Sequence, residues 1–294
     1  MKSLWPVYSA LLIGFCCMSS SSTLIRLCSA PAIVIAFYRL VFTCGLAGAS
    51  RVNSLLPQIK ALPRRDLVCA CISGVFLGLH LGVWITSLSY TSISSSVLFT
   101  NMQVLFVLVF SFLFLKEKIR SLAVLGIIIT LAGSGFIGFG DLRYGRLGGD
   151  ALALLSGLFV AVYYIIGRYV RPRVDLMVYT FVTSLAAAIA LLVPALITQL
   201  PLSGFRWLDW LLFVLMAIGP GLGGHAMYNW ALKYVKAPLV SVSVLGESAG
   251  ASILGYLIFH EALLWYQWAG GALILTGIYL ALAKEVGSGG GLVE

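Results

Sequence analysis

The chain is 294 residues long, 61% hydrophobic and only 10% charged, where soluble domains carry roughly 25% charged residues. It has too few charges to coat a water-facing surface, which excludes a soluble domain and makes it an integral membrane protein. The formal net charge of +9 does not mark a nucleic-acid binder, because the Lys and Arg residues lie between apolar runs rather than along one face, a pattern suited to topology control and anionic lipid headgroups.

At the N-terminus, MKSLWPVYSALLIGFCCMSS joins a basic residue to an apolar run. No A-x-A cleavage site follows and more apolar sequence does, so the stretch predicts a spanning helix rather than a signal peptide. Ten apolar segments can be marked in order, at about 5–25, 31–50, 65–89, 93–115, 119–139, 148–169, 175–198, 207–233, 237–259 and 263–284. Each is long enough to cross a hydrocarbon core of ~30 Å at about 1.5 Å per residue. They are separated at Ser29-Ala30-Pro31, 53–63, 141–150, Arg171-Pro172, 201–206 and Ala237-Pro238, and no connection has room for a soluble domain. The closing GSGGGLVE (287–294) reads as a flexible linker outside the fold.

Counting Lys and Arg in alternate connections gives fourteen on one side and four on the other, with Arg39 left inside a span. The poor side holds Arg26, Arg143, Arg146 and Arg206. The positive-inside rule then places both termini in the cytoplasm and the protein in the cell membrane. The cysteines at 16, 17, 28, 44, 69 and 71 lie within apolar segments apart from Cys28. They read as small packing residues, and Cys69-Ala70-Cys71 lacks partners at zinc spacing. No metal and no cofactor are expected.

Shifted by 144 residues, the chain matches itself. Leu88-Ser89-Tyr90 falls on Leu232-Lys233-Tyr234, Phe114-Leu115-Lys116-Glu117 on Ile258-Phe259-His260-Glu261, Gly126 on Gly270, Gly133 on Gly277, and Gln103 on Glu247. Two copies of an odd number of spans must enter the membrane in opposite senses. Glu117 accordingly ends a segment on the basic side and Glu261 ends one on the other. The expected fold class is all-α integral membrane, with ten transmembrane helices in two inverted five-helix repeats around a central cavity, 1–140 and 141–286.

LFLKEKIRSLAVLGIIITLAGSGFIG and LIFHEALLWYQWAGGALILTGIYLAL resemble the paired ends of the two EamA-type halves of the drug/metabolite transporter superfamily. IAFYRLVF, LSYTSISSSVLF and GLFVAVYYIIGRYV are similar to its segments two, three-to-four and six, so the resemblance covers nearly all of 5–284. It implies a cavity lined largely by segments three, four, eight and nine, with one and six contributing. It also implies export of amino acids and other small metabolites, or exchange of nucleotide sugars and sugar phosphates.

Glu247 is the leading site candidate. It lies about ten residues into the ninth segment, ~15 Å deep, and a carboxylate there costs roughly 2.5–3.5 kcal/mol on insertion scales. Ser243 one turn before it and Gly250 and Ala251 one turn after make that face small and polar. The residue reads as a proton carrier or a partner for a substrate ammonium, against a purely interhelical role. Arg39 reaches similar depth in the second segment. It is either a structural partner of Glu247 or backbone carbonyls, the reading the family resemblance favours, or a fork for a substrate carboxylate. Gln103, the sequence mate of Glu247, points to cavity lining, whereas Asn101 reads as facing elsewhere. His80 with Trp84, and His225 with Asn229, share helix faces at i, i+4; the histidines are proton-carrying candidates, with ordinary packing as the alternative. Trp84, Tyr228 and the Tyr163-Tyr164 pair offer stacking surface. Gly126, Gly133, Gly270 and Gly277 read as close helix packing.

Catalysis finds little support. Gly138-Phe139-Gly140-Asp141 resembles an intramembrane aspartyl protease motif, but Asp141 sits at a segment end without the second deep aspartate such a dyad requires. No G-x-S-x-G, Walker loop or H-E-x-x-H is present. The expected function is a secondary transporter exporting small amphiphilic metabolites such as amino acids. Its partners would be a small-molecule substrate, membrane lipid and protons. A sugar-phosphate or nucleotide-sugar exchanger and a non-transporting scaffold or receptor are the alternatives.

Overall fold

The computed structural model describes residues 5–91, 93–117, 119–141, 147–259 and 265–283, and every regular element among them is helical. In chain order these are α1 (Trp5–Leu27), α2 (Ala32–Ala49), the short α3 (Leu55–Ala61), α4 (Arg64–Ser87), and α5 (Ile93–Asn101, continuing as Gln103–Phe110 and Ser111–Leu115). There follow α6 (Ser121–Asp141), α7 (Leu147–Val170), α8 (Leu176–Ile197), α9 (Trp207–Ala231), α10 (Ala237–Val244, continuing as Gly246–Phe259) and α11 (Trp265–Ala283). Six of them, α1, α2, α4, α7, α8 and α9, are long and apolar enough to cross a membrane. Shorter apolar helices run over Phe99–Leu115, Ser121–Gly133 and Trp268–Ala281. Large apolar side chains such as Phe112, Phe114, Ile197 and Trp268 are exposed on the outer faces, which suits lipid and not water. The protein is a multi-pass membrane protein. The expected linker 287–294, and Glu261 with it, lie outside the described residues.

Proline and capping residues set several helix starts. Pro31 and Pro63 immediately precede α2 and α4, and Pro238 lies in the first turn of α10, where a missing N–H is harmless. Asp175 caps α8, its Oδ1 accepting from Met177 N at 2.9 Å and Val178 N at 3.4 Å.

Three helices depart from the uninterrupted runs their sequences suggest. α5 is interrupted at Met102 and α10 at Leu245, each through an i to i+3 backbone bond, Met102 N to Phe99 O at 3.2 Å and Leu245 N to Val242 O at 3.0 Å. Gln103 and Glu247 therefore each stand in the first turn of a helix resuming inside the protein. In α9, Ala217–Ala226 is wound as a π-helix around Pro220. The missing N–H and ring clash of that proline forbid the ordinary ladder. Glycines in this wide turn let α9 approach its neighbours: a Cβ at Gly223 would lie 2.5 Å from Cys17 Sγ, and one at Gly224 2.6 Å from Met18 Sδ.

α6 packs along α11, α4 along α7 and α8, and α2 along α8. α9 lies against α1 and α2, α5 against α7, and α10 against α1. The expected glycine contacts are present: a Cβ at Gly126 would fall 2.5 Å from Ala281 N, and one at Gly133 2.7 Å from Gly270 O. Backbones this close let α6 and α11 associate through packing.

Candidate substrate-binding site

Where α1, α2, α4, α5, α7, α9 and α10 converge there is a cavity of about 440 Å³, whose lining includes Arg39, His80, Trp84, Gln103, His225 and Glu247. Six of the residues singled out in the sequence thus meet in one space. A smaller cavity of about 290 Å³ adjoins it toward the Lys- and Arg-rich end, lined by Tyr163, Thr180, Ser184 and Asn229 among others. Arg39, Leu81 and His225 line both and form the partition between them.

The partition is under-satisfied. Arg39 is buried in α2 and its Nη1 donates to Ser21 Oγ at 3.1 Å, while its Nη2 has no partner. Glu247 lines the same cavity as Arg39, yet no ion pair of 4.0 Å or less joins them among the described residues. The direct salt bridge expected as the structural role of Arg39 is therefore not formed, and Glu247 Oε1 is unpaired as well. Both His225 ring nitrogens lack partners; the ring stands edge-on to Tyr163 at 5.9 Å and to His80 at 6.3 Å. Gln103 Oε1, Thr180 Oγ1 and Asn229 Oδ1 complete the set around the two cavities.

Other groups are fully engaged and give the site its shape. His80 Nδ1 lies 2.8 Å from Ser156 Oγ and 3.1 Å from Ser156 O. A carbonyl only accepts, so that nitrogen carries the hydrogen. The ring then stacks parallel to Trp84, centroids 6.4 Å apart. Asn229 Nδ2 donates to His225 O at 2.9 Å and to Tyr163 Oη, which fixes the orientation of its amide.

Some assignments change. Asn101 lines the larger cavity alongside Gln103, because the turn at Met102 rotates the two residues onto a common space. Tyr164 rather than Tyr163 faces that cavity. Ser243 lines neither; its hydroxyl donates back to Leu239 O at 3.0 Å. Tyr228 also lies outside both linings, its ring packed against Gly14. Thr180, Thr183 and Ser184 were not singled out, although their i, i+3, i+4 spacing marks one polar face in an apolar helix. Among the described residues no group of His, Cys, Asp or Glu is arranged to hold a metal ion.

The sequence matches the EamA-like transporter family twice, over residues 5–139 and again over 147–283. The chain belongs to this family. Relatives include an uncharacterized transporter of Archaeoglobus fulgidus, 24% identical over 93% of this chain and 95% of its own. Another from the same organism is 28% identical over 79% and 85%, and one from Clostridium kluyveri 25% over 69% and 68%. A solved crystal structure superimposes with a TM-score of 0.73 at 22% identity, covering 94% of this chain and 97% of that one, which shows a shared fold. The protein is thus a transporter of the drug/metabolite superfamily, and such a transporter takes a small-molecule substrate.

Proposed function

We propose that this EamA-like transporter exports small zwitterionic or amphiphilic metabolites of the amino-acid type from the cytoplasm, by alternating access around the paired cavities. The observation carrying this reading is the ring of unpaired buried atoms: Arg39 Nη2, Gln103 Oε1, both His225 nitrogens, Glu247 Oε1, Thr180 Oγ1 and Asn229 Oδ1. Leaving such a group dry and unpaired costs about 1–3 kcal/mol. Several around one space point to a guest or waters that satisfy them. Arg39 brings a cationic donor to this lining and Glu247 and Gln103 bring carboxylate and amide acceptors, so a guest with charge of both signs suits it. A phosphorylated sugar would need several cations, whereas Arg39 is the one Lys or Arg in either lining among the described residues.

The same reading takes the two matched ranges as inverted five-helix halves, with ten spans, α3 on the surface and both termini cytoplasmic. Helix contacts support it. α6 on α11 and α2 on α8 pair like with like, α4 on α7 mirrors α9 on α1, and α5 on α7 mirrors α10 on α1, as a pseudo-twofold axis in the membrane plane requires. With no ATP-binding motif in the sequence, a substrate or proton gradient drives the cycle.

Counterflow in proteoliposomes, loaded with amino acids and related amines and acids in turn, tests the proposal. Transport of at least one zwitterion, reduced about tenfold or more in Glu247→Gln, is expected. Flux unaffected by that change would remove Glu247 from the site, and flux restricted to phosphorylated sugars would favour the exchanger.

A further inference from the structure

The arginines at the α7–α8 junction enter the sequence reading only as topology signals, but each one holds the end of another helix. Arg168 Nε pairs with Glu117 Oε1 at 2.8 Å, and its Nη1 donates to Leu232 O at 2.7 Å. Arg171 Nε donates to Asn229 O at 3.1 Å, and Arg173 Nη2 meets Asp66 Oδ1 at 2.7 Å. The ends of α4, α5 and α9 are thereby tied to one short connection. Arg51 and Asp175 add a further pair at 3.1 Å. All three ion pairs join a residue of 5–139 to one of 147–283, the two ranges that match the family separately.

Among these the Glu117–Arg168 pair stands apart. Its side chains are 10% and 12% exposed on the Arg and Glu sides, against 43% and 35% for Arg51 and Asp175. Glu117 is held a second time, Ser111 Oγ donating to its Oε2 at 2.6 Å. Lys116, in the left-handed region at φ 53, turns the chain so that Glu117 folds back over Ser111. The tie also reaches the cavities. Leu232 O and Asn229 O, the carbonyls gripped by Arg168 and Arg171, cap the stretch of α9 that carries His225 and Asn229 into the smaller cavity. Burial draws the Arg171 guanidinium below its ordinary pKa, whereas hydrogen bonding to Asp66 holds that of Arg173 above its own.

We infer that the Glu117–Arg168 pair is a latch: it holds the Lys- and Arg-rich end of the two halves together, and its release admits water from that end to the smaller cavity. A pair this little exposed suits this role because stranding either charge alone in so shielded a place is costly. Separation is therefore concerted, both partners reaching water as the helix ends part, which gives two discrete states rather than gradual loosening. The inference rests on the alternating-access reading for its purpose, but closure is measurable without any substrate.

Amide hydrogen exchange on the full chain in lipid nanodiscs tests it. Glu117→Gln and Arg168→Gln should each speed exchange of the amides of 229–233 and 180–184 about tenfold or more. The charge-swapped double variant, Glu117→Arg with Arg168→Glu, should return them to within about threefold of the parent, and Arg51→Gln at the exposed pair should stay within about threefold. Arg168→Lys, which keeps the charge but loses the fork to Leu232 O, gives a smaller acceleration and serves if the glutamine variants do not fold. Unchanged exchange in Glu117→Gln, an equal effect from Arg51→Gln, a swap as fast as the single variants, or no acceleration in Arg168→Lys overturns the latch. None of these results depends on whether the cavity binds a zwitterion.

Discussion

Two glycines of α11 give a controlled test of how the helices are packed. A Cβ placed on Gly277 would overlap Thr130 Oγ1 and lie 2.6 Å from Gly126 O and 2.7 Å from Thr130 N. Two of those are backbone atoms, and the hydroxyl is itself committed, donating to Gly126 O at 2.7 Å, so nothing flexible can yield. Relief to ordinary contact near 3.4 Å needs α6 and α11 to part by close to an ångström along their whole seam. Overpacking of this kind costs about 1–3 kcal/mol. Gly271 lies on the same helix, and a Cβ there meets nothing closer than Ala249 Cβ at 3.8 Å; Gly271→Ala gains helix propensity, about 0.5–1 kcal/mol. In thermal unfolding of purified protein in one detergent, Gly277→Ala should melt below the parent and Gly271→Ala at or above it. Equal melting of the two variants would refute the close α6–α11 contact.

Three further outcomes follow from single contacts. Thr180→Val replaces an unpaired buried hydroxyl with a methyl of similar shape, and should stabilise ligand-free protein by about 1 kcal/mol; a lower melting temperature would show that the hydroxyl has a partner. Asp175→Ala removes the α8 cap and should cost about 0.5–2 kcal/mol, while Asp175→Asn should recover most of it; equal losses in both would assign the effect to the exposed Arg51 pair. Tyr163→Phe deletes the acceptor of Asn229 Nδ2 and frees the amide to turn, so it should weaken ligand binding more than it lowers ligand-free stability. The reverse order would make Tyr163 a packing residue.

Much of the fold was legible because membrane helices announce themselves by length. The segments at 5–25, 31–50, 65–89, 148–169, 175–198 and 207–233 meet Trp5–Leu27, Ala32–Ala49, Arg64–Ser87, Leu147–Val170, Leu176–Ile197 and Trp207–Ala231 within a few residues. What composition hides is local winding. The turns at Met102 and Leu245 contain no proline, and α3 is too short to show a period. Pro220, set among the four glycines at 219, 221, 223 and 224, is the one sequence feature that accompanies the π-helix of α9. The polar residues were legible because each one inside an apolar run is conspicuous, and Arg39, Glu247, Gln103, His80 and His225 do share a space. Asn101 was misplaced because its facing depends on the Met102 turn. Thr180, Thr183 and Ser184 escaped notice because a hydroxyl in a membrane segment can bond back to its own helix, as Thr183 Oγ1 does to Tyr179 O, and so carries little signal.

Ligand-induced stabilisation of the parent against Glu247→Gln measures the central claim most directly. A zwitterion that binds at a hundred times its Kd stabilises the folded protein by about 2.7 kcal/mol. The account predicts that a metabolite screen yields such ligands and that Glu247→Gln loses most of their melting shift while melting normally alone. Ligands that stabilise Glu247→Gln as strongly as the parent would place the binding site away from the Arg39–Glu247 cavity and contradict it.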